Sequence, residues 1–221
     1  MLYILIDNGH GINTIGKRSG KLEDGSQLFE WKYTREIADL LIKELNKYPD
    51  KYKAIKITPE DKDISLTTRV NRINQYCRKY GSSNCIMISI HVNAAGTGEW
   101  LSARGWSAWT TKGQNISDKL ADCLYDGADQ VIKLNKEYID SFKGQSKQKP
   151  IREDKTDGDR DCEANFQIIK GANCAAVLVE MLFMDNKKDV KYLLSNKGKE
   201  DMTKIYLNGI ENYYNKYKKV A

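Results

Sequence analysis

Leu2-Tyr3-Ile4-Leu5-Ile6-Asp7-Asn8-Gly9-His10-Gly11 opens the chain with five apolar residues, stopped abruptly by polar and turn-forming ones. A short apolar run bounded in this way predicts a buried strand. The glycines flanking His10 predict a sharp bend and an uncrowded imidazole. The pattern recurs twice. Cys85-Ile86-Met87-Ile88-Ser89-Ile90 delivers His91, the only other histidine, and Ala175-Ala176-Val177-Leu178-Val179 delivers Glu180. Lys53 to Thr58, ended by Pro59, and Gly105 to Thr110 read as further strands.

Helical periodicity fills the gaps. From near Phe29, the residues Glu30, Thr34, Ile37, Leu41 and Leu45 share one face, so Glu30 begins the inward stripe of its own helix. Leu66, Val70, Ile73 and Cys77 form a second stripe, closed by Gly81. Ile116, Leu120, Leu124, Val131 and Leu134 predict a long third helix. A last helix runs from about Lys199 to Lys218, with Met202, Ile205, Gly209, Tyr213 and Tyr217 inward. Residues 12 to 29 read as a long loop, 141 to 163 as a polar, mobile flap, and Phe166 to Ile169 as a short strand or helix. Alternating strands and helices predict an α/β fold with a mixed, largely parallel sheet. Ligands in such folds sit beyond the carboxyl ends of the strands, which gathers His10, His91 and Glu180 at one edge.

The 221 residues carry 36 basic and 30 acidic side chains, a formal charge of +6. The excess favours an anionic partner, but the basic residues are scattered rather than clustered, which argues against nucleic acid. No apolar stretch approaches the ~20 residues of a membrane span. The chain opens directly into a strand without a basic leader, so synthesis in the cytoplasm without a signal peptide is expected. Five irregularly spaced cysteines argue against a disulfide framework. Cys77, Cys85, Cys123 and Cys174 read as small buried apolar residues, and Cys162 as the one open to solvent.

Two neutral imidazoles and a carboxylate are a catalytic zinc set that leaves a fourth position for water, whose pKa falls toward ~7. A second carboxylate can carry the proton from that water to a leaving amine. His10, His91 and Glu30 fit the first role and Glu180 the second. Glu23, Asp24 and Glu36 compete with Glu30, and an ion pair of Glu180 with Lys187 is the structural alternative. Asp7 and Ser89 lie close enough in sequence to orient the imidazoles.

Four ordered motifs carry a resemblance: Asp7-Asn8-Gly9-His10-Gly11, Glu30 with Ile37-Ala38, Ser89-Ile90-His91-Val92-Asn93-Ala94, and Val177-Leu178-Val179-Glu180. Together they resemble the zinc-dependent N-acetylmuramoyl-L-alanine amidases of the amidase-3 family, including their phage endolysin members. Leu66, Arg69 and Asn74 also match family positions on the helix before the second histidine. The likeness runs from residue 2 to about residue 195. It implies a mixed six-stranded sheet with helices on both faces. It implies one zinc ion held by His10, Glu30 and His91, a catalytic Glu180, and hydrolysis of the amide between N-acetylmuramic acid and L-alanine in peptidoglycan. This chain has Asn8 where the family has proline, Ile12 and Leu182 where it has glycine, and a longer loop before Glu30. The expectation is one catalytic domain over residues 1–221 with no appended wall-binding domain. It is expected to be a monomer that lyses the wall after release through a separate holin-type pore, like a phage lysin, with a bacterial enzyme exported by another route as the alternative. Trp100, Trp106 and Trp109 read as core aromatics rather than stacking platforms. The rival readings are a zinc peptidase cutting within the stem peptide, an inactive wall-binding module, and a nucleic-acid binder.

Overall fold

In the computed structural model, which describes residues 1–218, the opening run forms β1 (Leu2–Asn8). The last three positions of the domain expected over 1–221 lie outside the described residues. After β1 come α1 (Glu30–Leu45), β2 (Tyr52–Lys56), α2 (Leu66–Tyr80), β3 (Cys85–Asn93), β4 (Ser107–Thr110), α3 (Ile116–Ile132) and α4 (Lys136–Asp140). The chain closes with β5 (Cys162–Glu163), α5 (Gln167–Lys170), β6 (Ala175–Phe183), α6 (Lys187–Leu194) and α7 (Asn196–Tyr217). The six strands form one sheet in the order β2-β1-β3-β6-β4-β5. The first four of that order run parallel, while β4 runs antiparallel to β6 and parallel to β5. The sheet is thus mixed and largely parallel, as the sequence implies.

Alternation along the central strands sorts their side chains between two cores. Ile4 and Ile6 of β1, Ile86, Ile88 and Ile90 of β3, and Val177 and Val179 of β6 pack with Ile37 and Leu41 of α1, Leu120 and Leu124 of α3, and Ile205 of α7. Leu5, Met87, Ala176 and Leu178 point the other way, against Ile73 and Cys77 of α2 and Ile168 and Ile169 of α5. Burial on both faces is why these strands read as unbroken apolar runs. Side chains cap α2 and α3 at their starts. Ser65 Oγ accepts from the Thr68 N–H at 3.2 Å, and Asn115 and Asp118 make a reciprocal capping box at α3. No helix among the described residues is long and apolar enough to cross a membrane.

Several expectations need correction. The third helix ends at Ile132, leaving Leu134 80% exposed beyond it. Tyr217 faces outward at the end of α7. The octapeptide α6 was not legible, because Lys187, Lys188 and Lys191 mask its short inward face of Val190 and Leu193. The stretch 141–163 is anchored rather than loose along its length. Phe142, Ile151 and Asp161 are buried, Ile151 bridges to Trp106, and Cys162 and Glu163 form the edge strand β5. Cys162 is accordingly half-buried. Trp106 is fully buried, and Trp109 packs on Phe166.

A bulge interrupts the β3–β6 ladder beside the proposed site. His91 pairs with Glu180 and Asn93 with Phe183, so β6 spends one more residue than β3 over the same span. Leu182 absorbs it at φ 66°, a conformation that favours glycine, yet its side chain is fully buried. Leu182→Gly relieves about 1 kcal/mol of backbone strain but removes a core leucine, a loss of about 3–5 kcal/mol. Net destabilisation of about 2 kcal/mol or more is expected in urea unfolding; a stabilised variant would mean that backbone strain outweighs the packing.

Candidate metal centre

Strand register brings the groups together. Asn8 pairs with Ile90 and His91 with Glu180, so the ends of β1, β3 and β6 lie side by side. The Gly9 N–H donates to the Ile90 carbonyl at 3.0 Å, placing His10 one residue past the ladder. Glu30, the first residue of α1, reaches in from the helix side and is 1% exposed.

The Glu30 carboxylate sits between the imidazoles. Its Oε1 lies 3.1 Å from His91 Nδ1 and its Oε2 lies 3.4 Å from His10 Nε2. The rings stand edge to face, with centroids 4.9 Å apart. Ligand atoms from His10, Glu30 and His91 all fall within 4.8 Å of one another. Tetrahedral zinc with bonds of ~2.0–2.1 Å separates its ligands by about 3.3 Å, a spacing close to both contacts. Glu30 Oε1 also accepts from the Val92 N–H at 3.0 Å, while Oε2 is buried without a hydrogen-bond partner. A buried, partnerless carboxylate oxygen facing an imidazole nitrogen suits a cation between them.

The electrostatics distinguish the two rings. Burial pushes His10 down to about 4, against the pull of Glu30, so this ring is neutral at pH 7 with a lone pair free to bind. Burial also opposes charge on His91, but its hydrogen bond to Glu30 prevails and raises it. Glu30 mirrors this: burial raises it, and the contact with His91 brings it below the ordinary carboxylate range. Glu180 is pushed up to about 8 by burial, with His91 pulling it down and Glu30 pushing it further up. Its Oε2 is buried without a partner. Lys187 pairs with Glu23 at 3.2 Å instead, so the ion pair considered for Glu180 is not formed. Glu23 is thereby also placed on the surface, away from the imidazoles.

The bend falls at a different residue from the one its glycines suggest. His10 itself has φ 63°, whereas Gly9 and Gly11 serve close approach. A methyl on Gly9 would overlap the His91 ring, and one on Gly11 would overlap the backbone of Asp63. Two guanidinium groups hold the strained turn: Arg35 Nη1 donates to the His10 carbonyl at 3.0 Å and Arg69 Nη2 at 3.5 Å. Thr34 Oγ1 donates to the Gly9 carbonyl at 3.1 Å.

Asp7 and Ser89 bond each other, not the imidazoles. Ser89 Oγ donates to Asp7 Oδ2 at 2.7 Å, and Arg69 Nη1 donates to Asp7 Oδ1 at 2.6 Å and to the Asn8 carbonyl at 3.0 Å. Arg69 also pairs with Asp63 at 2.7 Å. This buried network braces the strand end on which His10 is mounted. A cavity of about 390 Å³ opens over the two rings, walled by Asp63, Ile64, Ser65 and Leu66.

The family model for N-acetylmuramoyl-L-alanine amidase (Amidase_3) matches residues 4–212. The whole chain is 27% identical to the N-acetylmuramoyl-L-alanine amidase CwlM of Bacillus licheniformis, covering 72% of that protein. The solved structure of N-acetylmuramoyl-L-alanine amidase from Clostridium difficile 630 superposes with a TM-score of 0.72 at 20% identity, over 97% of each chain. The catalytic domain of CwlV, an amidase from Bacillus (Paenibacillus) polymyxa var. colistinus, superposes with a TM-score of 0.68 at 17% identity, over 97% of this chain and 99% of that one. At these identities the two structures speak to the fold.

Because His91 rests against Gly9, Gly9→Ala is expected to displace the ring and weaken divalent-cation binding about 10–100-fold, with the fold retained. Plasma mass spectrometry of the purified variant, beside its circular dichroism, checks this. Wild-type metal content would show that the close approach is not what sets the ligand.

Proposed function

This chain belongs to the N-acetylmuramoyl-L-alanine amidase family (Amidase_3), a family of hydrolases, and from that premise we propose that one zinc ion, held by His10, Glu30 and His91, serves the cleavage. The bond broken joins the lactyl carbonyl of N-acetylmuramic acid to the amine of L-alanine. The observation that carries the zinc reading is the sealed Glu30 carboxylate set between two imidazoles with one oxygen partnerless.

Bound there, zinc supplies Lewis acidity, polarising the scissile carbonyl and bringing water's pKa toward ~7. His10, neutral through burial, offers a lone pair at ordinary pH. Glu30 provides the anionic ligand, and the Val92 N–H fixes its orientation. Glu180, opposite His91 in the ladder, takes the proton of the attacking water and passes it to the alanine nitrogen as the C–N bond breaks. A carboxyl held near neutrality suits both halves of that transfer, and burial holds Glu180 high. The products are a lactyl carboxylate on intact glycan and a stem peptide with a free amine.

Wall lysis is the expected consequence, and release through a holin-type pore belongs to the same proposal. Expression with and without such a pore tests it: clearing only with the pore supports this route, and clearing without it contradicts it. For the chemistry, His10→Ala and His91→Ala should lose zinc and turnover together. Glu180→Ala should keep zinc and lose about 10²–10⁴ in kcat. Product analysis should show free N-terminal L-alanine; a new amine at any other residue would indicate a stem-peptide peptidase. Unchanged zinc in His91→Ala would overturn the ligand assignment, and wall clearing that survives Glu180→Ala would overturn the proton carrier.

A further inference from the structure

A second group of carboxylates lies at the opposite edge of the sheet. β4 runs antiparallel to β6, with Ser107 beside Glu180 and Trp109 beside Leu178, so the end of β4 at Thr110 points away from the histidines. There Asp118 on the first turn of α3, Asp159 on the preceding loop of β5, and Asp161 just before β5 bring carboxylate oxygens within 4.8 Å of one another.

Ordinary partners satisfy part of this group. Asp118 Oδ2 accepts from the Asn115 N–H, and Asp161 Oδ2 accepts from Thr110 Oγ1, each at 2.5 Å. Asp159 accepts from Gln114 Nε2 at 2.7 Å and from the Asp161 N–H at 3.3 Å. Among the described residues, no Lys or Arg forms an ion pair with Asp118, Asp159 or Asp161. Arg160, flanked by two of these, turns away to Glu153 at 2.6 Å and Asp129 at 3.0 Å. The independent sign of a missing ligand is Asp161 Oδ1. The residue is 1% exposed, and this oxygen is buried without a hydrogen-bond partner. Burial pushes the Asp161 carboxyl up to about 7, with Asp159 adding to the rise against the hydrogen bond from Thr110. A proton shared between Asp159 and Asp161 would relieve that pair but leave Asp118 facing them.

The donors are all oxygen, which selects a hard cation over zinc. Oxygens on opposite sides of a calcium ion at ~2.4 Å are about 4.8 Å apart, and calcium accepts six to eight ligands in irregular geometry. Magnesium demands a tighter octahedron and keeps most of its water. We propose that Asp118, Asp159 and Asp161 form a calcium site that ties the loop before β5 to the start of α3 and the end of β4. Its role is structural: it fastens the edge of the sheet that sequence polarity alone leaves loose.

The test is thermal unfolding of the full chain in decalcified buffer, with calcium chloride as the only addition. A hundredfold excess of Ca²⁺ over its Kd should raise Tm by about 5 °C or more. Asp159→Asn and Asp161→Asn should lose that rise. Without calcium, Asp159→Asn should melt no lower than wild type, because it removes like-charge repulsion. Asp159 is only half-buried, so its variant stays informative should the buried Asp161→Asn fail to fold. A wild-type Tm unmoved up to about 10 mM Ca²⁺, beyond the weakest range of biological calcium sites, overturns the proposal. An equal rise in Asp159→Asn does the same.

Discussion

A carboxylate sealed from water is tolerated only where something answers its charge, and Glu30 is sealed to 1% exposure. One of its oxygens has an imidazole and a backbone N–H, and the other has His10 Nε2 at 3.4 Å and no hydrogen bond. Much of the surrounding structure serves to hold this arrangement. Three parallel strands set His10, His91 and Glu180 at one edge, and α1 begins where its first residue must reach inward. The placement also suits the helix dipole, which favours an acidic side chain in the first turn.

Holding the site calls for local strain and a support beneath it. His10 takes a backbone conformation that disfavours any side chain, at about 1–2 kcal/mol. Arg35 and Arg69 converge on its carbonyl, and Arg69 is in turn fixed by Asp7 and Asp63. The buried Arg69–Asp7 pair therefore acts as a brace, since removing one partner would strand the other's charge inside the protein. The bulge at Leu182 is a second irregularity next to the site, re-aiming β6 just after Glu180.

The sequence discloses part of this and hides part. His10, His91 and Glu180 are legible because a both-faces-buried strand reads as an apolar run, and the first polar residues after it mark one edge. Glu30 is legible because its spacing places a charge on an inward stripe. Other features leave no such trace. Nothing in the order of residues reports that His10 rather than its glycines takes the positive φ, or that Asp7 and Ser89 bond each other, since both depend on contacts 25 to 82 residues apart in the chain. The edge strand β5 is two residues long and polar, too short for any period to show, and its anchors Ile151 and Asp161 lie in a stretch whose composition resembles a free loop.

The central claim is that one divalent cation is gripped by both imidazoles and by Glu30. X-ray absorption at the zinc edge of the purified, zinc-loaded chain measures this most directly. The account predicts two imidazoles and one or two oxygens at about 2.0–2.1 Å, with no sulfur. A sulfur shell at about 2.3 Å, or one imidazole alone, would contradict it.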